Sequence, residues 1–149
     1  MRSYRTKHSQ RGSTAVEFSI IAIVFITLLM AIIEFGRWMY TLEMVADATR
    51  VGARKAVVCD INDATIKAAV QARVPQLSLS NAQVTLQYFP AACAKPTCQG
   101  VQVGITGATF TPLIPFMSAA FPIPPFSTSL PRESLESVNA AGEANPVCV

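Results

Sequence analysis

From Thr14 to Ile33 the chain is apolar apart from one charge, Glu17, and as a helix such a run rises about 30 Å, the thickness of one hydrocarbon core. The pattern predicts a membrane-spanning helix over about 14–36. Just beyond it stand Arg37, Trp38 and Tyr40, a cation and two amphipathic aromatics that suit a membrane–water interface. From Thr41 to Val58 there is no proline, and Leu42, Val45, Ala48, Gly52 and Ala56 place apolar or small side chains at helical spacing. The helix therefore continues as an amphipathic segment over about 37–58, one element from 13 to 58. Ala48, Gly52 and Ala56 make a narrow stripe that a partner can approach closely, either the chain's own outer domain or a neighbouring subunit. Arg50, Arg54 and Lys55 read as a solvated face.

The helical pattern breaks at Asp60-Ile61-Asn62-Asp63, where Asn62 or Asp63 can cap a second helix, Ala64 to Val74, ended by Pro75. Two β-like runs follow, Ala82 to Phe89 and Val101 to Phe110, and they read as an antiparallel hairpin. Prolines 112, 115, 122, 124 and 125 punctuate an apolar loop in which only Leu113 to Phe121 has room for a short helix. A third strand is expected at Phe126 to Leu135, weakened by Pro131. The tail, 137–149, has no periodicity. The expected fold class is α+β: a long membrane-spanning helix that becomes amphipathic, capped by a small outer domain, 59–136, with a second helix and an antiparallel sheet of about three strands.

Composition limits this layout to one membrane helix and one small domain, since the chain has 149 residues, 51% of them hydrophobic and 14% charged. The formal charge of +3 comes from 12 Lys+Arg against 9 Asp+Glu. Four of those cations, Arg2, Arg5, Lys7 and Arg11, precede the apolar run, and without them eight basic residues face nine acidic ones, about −1. The basicity thus reports topology, N-terminus in the cytoplasm and the rest outside, and not nucleic-acid binding. No A-x-A-like site follows Ile33, which argues against a cleaved secretory signal. An uncleaved signal anchor explains the basic start and the apolar run, but not Gly12 or Glu17. Glu34, one turn inside the aromatic belt, has two readings: a carboxylate snorkelling to the headgroups near Arg37, or a contact with another subunit.

Gly12-Ser13-Thr14-Ala15-Val16-Glu17-Phe18 resembles the cleavage site of type IV prepilins, in which a glycine closes a short basic leader and a glutamate and an aromatic follow at fixed distance. The wider pattern, with IIEFGRWMY and then Ala46, Arg50, Gly52, Ala53 and Arg54, resembles the TadE-like pseudopilins of the tight-adherence (Flp pilus) system over roughly residues 12 to 56. Such sequences commonly carry a proline where this chain has Ile23, so a straighter helix is expected. The resemblance implies cleavage after Gly12 by a prepilin peptidase, removal of the leader 1–12, and Ser13 as the mature N-terminus. It further implies that Glu17 meets the α-amine of a neighbouring subunit, with other Tad pilins and inner-membrane assembly-platform proteins as partners.

The cysteines at 59, 93, 98 and 148 all lie on the expected outer side, where disulfides persist. Cys93 and Cys98 close a hairpin end, which favours their mutual pairing, and Cys59 with Cys148 then tethers the tail to the end of the long helix. A metal site is disfavoured: the one histidine, His8, is in the leader, and no paired C-x-x-C knuckle occurs. No G-x-S-x-G or phosphate-binding glycine loop appears, and Glu133 and Glu136 sit in an ordinary charged segment. No enzyme activity, cofactor or small-molecule substrate is expected. Two functional classes remain: a processed minor pilin or pseudopilin of the bacterial inner membrane assembled through its helix, and an unprocessed single-pass anchor whose outer domain binds another envelope protein.

Overall fold

The structure is a computed structural model that describes residues 11–114 and 119–149. The expected leader therefore lies outside the described residues as far as residue 10. The element order is α1 (Arg11–Ala56), α2 (Ala64–Arg73), a 3₁₀ turn (Pro75–Leu77), β1 (Val84–Phe89), β2 (Gly100–Ile105), β3 (Thr109–Phe110), β4 (Phe121–Pro122) and β5 (Phe126–Pro131). The α+β class is as the sequence predicts. α1 is one uninterrupted helix of 46 residues, as a run without proline allows. The chain forms two units, Met1–Gly36 and Arg37–Val149.

In the first unit the large apolar side chains from Val16 to Phe35 are exposed, Phe18 and Ile32 to 72%. A helix surface this apolar and this exposed needs lipid or another protein around it. Its polar atoms fit the same surroundings, because the Ser19 hydroxyl donates to the Ala15 carbonyl (2.7 Å) and the Thr27 hydroxyl to the Val24 carbonyl (2.8 Å). Both hydroxyls are satisfied within the helix, and neither requires water.

The second unit is built on a three-stranded antiparallel sheet of order β1-β2-β5. Its register lines up three rows, Val84–Ile105–Phe126, Leu86–Val103–Thr128 and Tyr88–Val101–Leu130. Period-2 alternation puts every member of these rows on one face, and on the central strand Val101, Val103 and Ile105 are fully buried. They join Val45, Ala48, Ala53 and Ala56 of α1 and Ile66 and Val70 of α2 in one core. The Thr49 and Thr128 hydroxyls, 2.9 Å apart, hydrogen-bond α1 to β5.

The small-residue stripe of α1 faces this core. A Cβ added at Gly52 would stand 2.4 Å from Val70 Cγ2 and 3.0 Å from Val103 Cγ1, so α1, α2 and β2 meet where there is no side chain. Replacing Gly52 by alanine gains about 1 kcal/mol of helix propensity but incurs about 1–3 kcal/mol of overpacking against stiff valines. Gly52→Ala is therefore expected to be mildly destabilising. Gly52→Val, with no comparable propensity gain, should lose about 2–3 kcal/mol. Urea denaturation followed by Trp38 fluorescence measures both; a Gly52→Val chain as stable as the parent would contradict the packing at this point.

Three expectations are corrected. The second β-like run, Val101 to Phe110, is not one strand: it breaks at Gly107, whose φ of +69° suits glycine, and Thr109–Phe110 pairs instead with Phe121–Pro122 in a separate small sheet. The short helix expected over Leu113 to Phe121 is not seen in the described residues, where Leu113, Ile114, Ala119 and Ala120 are irregular and Phe121 belongs to β4; residues 115–118 lie outside them. The third strand stops at Pro131 and does not reach Leu135. The strand closes at Pro131, the Arg132 amide still donates to the Gln99 carbonyl, and the amides after it turn to the residues that follow α1: Glu133 and Leu135 donate to the Val57 carbonyl and Glu136 to the Val58 carbonyl, at 2.8–3.2 Å. These are among the carbonyls that a helix end leaves without an intrahelical donor. Leu135, at φ 52°, is fully buried there.

Candidate processing and assembly site

Gly12 and Ser13 lie at the start of the described part of α1, both exposed, and a Cβ at Gly12 would meet nothing within 4 Å. The glycine is therefore not there for packing. In a helix interior a glycine costs about 1 kcal/mol relative to alanine, so it weakens the helix locally. Glu17 and Phe18 follow one turn later, also exposed. Residues 13 and 17, four apart, lie on one face of the helix, about one turn's rise from each other. Glu34 is half-buried, as are Arg37 and Trp38, while Tyr40 is exposed.

The belt residues do more than end an apolar run. Trp38 meets Phe110 and Phe121 edge-on, with ring centroids 5.3 and 6.4 Å away, and the Arg37 guanidinium sits 5.3 Å from the Phe110 ring centroid. β3 and β4 are thus docked on the first turn of the second unit. Sequence reasoning missed this contact because a pair of two-residue strands carries no periodicity to detect.

The structure has two disulfides, Cys59–Cys148 and Cys93–Cys98, with no free cysteine among the described residues. Cys59 and Cys148 are both buried. Near Cys59 the chain turns from α1 to α2 through an electrostatic knot. Asp63 caps α2, its Oδ1 accepting from the Thr65 amide (2.9 Å) and hydroxyl (2.8 Å) and its Oδ2 from the Ser137 hydroxyl (2.7 Å). Asp60 pairs with Lys95 and accepts from the Ser137 amide. Of the two capping candidates it is Asp63 that caps, while Asn62, at φ 60°, donates its amide to the Tyr88 hydroxyl. Ser137 was not legible as part of this corner: its partners lie more than seventy residues upstream.

These contacts lower both carboxyls. The Lys95 ammonium, with the Ser137 amide, holds Asp60 below the ordinary 3.8, and the Thr65 amide, with the Ser137 hydroxyl, does the same for Asp63. A lowered folded-state value means the native chain binds fewer protons than the unfolded one. The stability contributed is complete above 3.8 and is lost as pH falls through the folded values. Both side chains are partly exposed, so the effect is modest. Urea midpoints measured on acidification through that range should fall, and should fall less in Asp63→Asn, which starts from a lower midpoint; parallel curves would contradict this account.

Among the described residues no three His, Cys, Asp or Glu side chains come together as a metal site. What the arrangement offers is an exposed glycine without a packing role, a carboxylate on an apolar surface and a cross-linked outer unit. Compared with known families, residues 12–54 match the family model described as TadE-like protein. Comparison with the curated proteins and with the solved structures gives no match.

Proposed function

We propose that this chain, TadE-like over residues 12–54 and on that ground a component associated with the Tad pilus, acts as a minor pilin or pseudopilin processed at Gly12. One observation carries the reading: within the matched segment, the exposed apolar run over 14–33 bears a single charge, Glu17, one turn beyond the exposed Gly12–Ser13 bond. Prepilin peptidase cleaves that bond on the cytoplasmic side. Ser13 then carries a new cation, and the helix passes laterally into an assembly of other Tad pilins on the inner-membrane platform. α1 is long and apolar enough to cross a membrane, which suggests an anchor. The leader cations set its direction, N-terminus in and outer unit out, and the disulfides suit that outer compartment.

N-terminal sequencing of protein extracted from membranes tests the proposal. A chain starting at Ser13 is expected. A chain that retains the leader would instead favour the unprocessed anchor whose outer unit binds another envelope protein.

A further inference from the structure

The β1-β2-β5 sheet buries one face, and the chemistry of the other is not used by the fold. The register sets out on it the rows Gln87–Gln102–Ser129 and Phe89–Gly100–Pro131, one position out of phase with the buried rows and so pointing away from the core. Gln87, Phe89, Ser129 and Pro131 are exposed. The central strand contributes only Gln102 to these rows, since a Cβ at Gly100 would stand 2.8 Å from the Leu130 carbonyl oxygen. Phe89 and Pro131 therefore flank a gap, about 10 Å apart at two strand spacings. The Gln102 amide donates to the Ser127 hydroxyl (2.8 Å), whereas the side chains of Gln87 and Ser129 hydrogen-bond to no other described residue. No charge stands in either row. From Val74 to Pro131 the sequence has a single charged residue, Lys95, whose ammonium pairs with Asp60; a solvated surface ordinarily has about a quarter to a third of its side chains charged.

From this we infer that the outer face of the sheet binds an uncharged glycan, with a sugar ring stacked on Phe89 beside the gap at Gly100 and sugar hydroxyls on Gln87, Gln102 and Ser129. The inference concerns the outer unit alone and stands whether or not Gly12 is a processing site. A sugar hydroxyl donates and accepts at once, as do a carboxamide and a serine hydroxyl taken together. The C–H face of a pyranose is slightly positive and lies against the negative face of a phenyl ring. A protein partner fits these rows poorly, because protein interfaces centre on Trp, Tyr and Arg, with Ser and Thr under-represented. Nucleic acids and acidic polysaccharides need cations to neutralise them, and the rows contain none. The central strand is hydrogen-bonded on both sides, so the floor of the site is rigid and little ordering accompanies binding.

The full chain is placed in lipid nanodiscs, which avoids detergents with sugar headgroups, and is passed over immobilised cellohexaose, maltohexaose, mannohexaose and N-acetylchitohexaose, with polygalacturonate as the charged control. Retention on at least one neutral probe, and release by the same sugar free in solution, is expected. Phe89→Ala should weaken that binding about tenfold and Gln87→Ala about fivefold, both at the parent's urea midpoint, since both positions are exposed. Should Phe89→Ala not fold, Gln87→Ala alone reads the face. No retention on any neutral probe, retention unchanged in the variants, or preference for polygalacturonate would overturn the inference. Pairing of nanodiscs with one another that Phe89→Ala or Gln87→Ala abolishes, without retention on sugar, would assign the face to a second copy of the chain and would overturn it equally.

Discussion

A Glu17→Ala chain is expected to insert in the membrane and to be cut, yet to fail in pilus-dependent function, whereas a bulky residue at Gly12 should block cutting itself. Cleavage leaves the α-amine of Ser13 as a cation at a helix N-terminus, where the backbone dipole is already positive. The amine and the Glu17 carboxylate are each costly to hold near lipid alone, and each neutralises the other if they meet between subunits. Glu17 is exposed on α1 and therefore available for such a contact. Removing it leaves the neighbour's amine without an anion. A buried pair broken on one side loses about 3–5 kcal/mol, and a subunit contact weakened that much would drop more than a hundredfold in affinity, at about 1.4 kcal/mol per factor of ten. Processing is read from the gel shift on loss of the leader, and assembly from sheared fibres. Normal fibres in the Glu17→Ala strain would refute the pairing, and normal processing with a bulky residue at position 12 would refute the cleavage site.

The second large effect concerns the disulfides. Cys59–Cys148 spans 89 positions and Cys93–Cys98 spans 5. In the chain-entropy picture the first bridge contributes about 4–5 kcal/mol and the second about 2 kcal/mol. A Cys59→Ser/Cys148→Ser chain should therefore unfold at much lower urea concentration than a Cys93→Ser/Cys98→Ser chain. The long bridge also supports packing, since Cys59 and Cys148 are both in the core, and the serines would put hydroxyls where sulfur was buried. Equal denaturation midpoints for the two double variants would show that the long loop is already closed by other contacts. The amides of Glu133, Leu135 and Glu136 on the carbonyls just after α1 are the candidates for that role.

Most of the fold was legible because its strongest signals are local. α1 follows from an apolar run joined to a small-residue stripe, α2 from an acidic cap and a closing proline, and the β1–β2 hairpin from alternation at Val84, Leu86 and Tyr88. The tail of the third strand, the β3–β4 pair and the Ser137 corner were not legible, since each depends on partners far away in sequence. Pro131 announces that a strand weakens, but not that the amides after it go to Val57 and Val58. At the N-terminal site the residue types carried the information: a glycine without a packing role and one carboxylate on an apolar surface.

The bond between Cys59 and Cys148 also decides how the subunit answers a pull. A load passed from α1 into the chain beyond the sheet reaches Cys59 just after the helix and crosses directly to Cys148. The intervening chain, roughly 300 Å if drawn straight, lies in parallel with that covalent link and cannot be paid out. Sheet, second helix and corner are thus spared the tension of a pull applied between α1 and Cys148, and the outer unit is inextensible between Cys59 and Cys148 for as long as the bridge is closed.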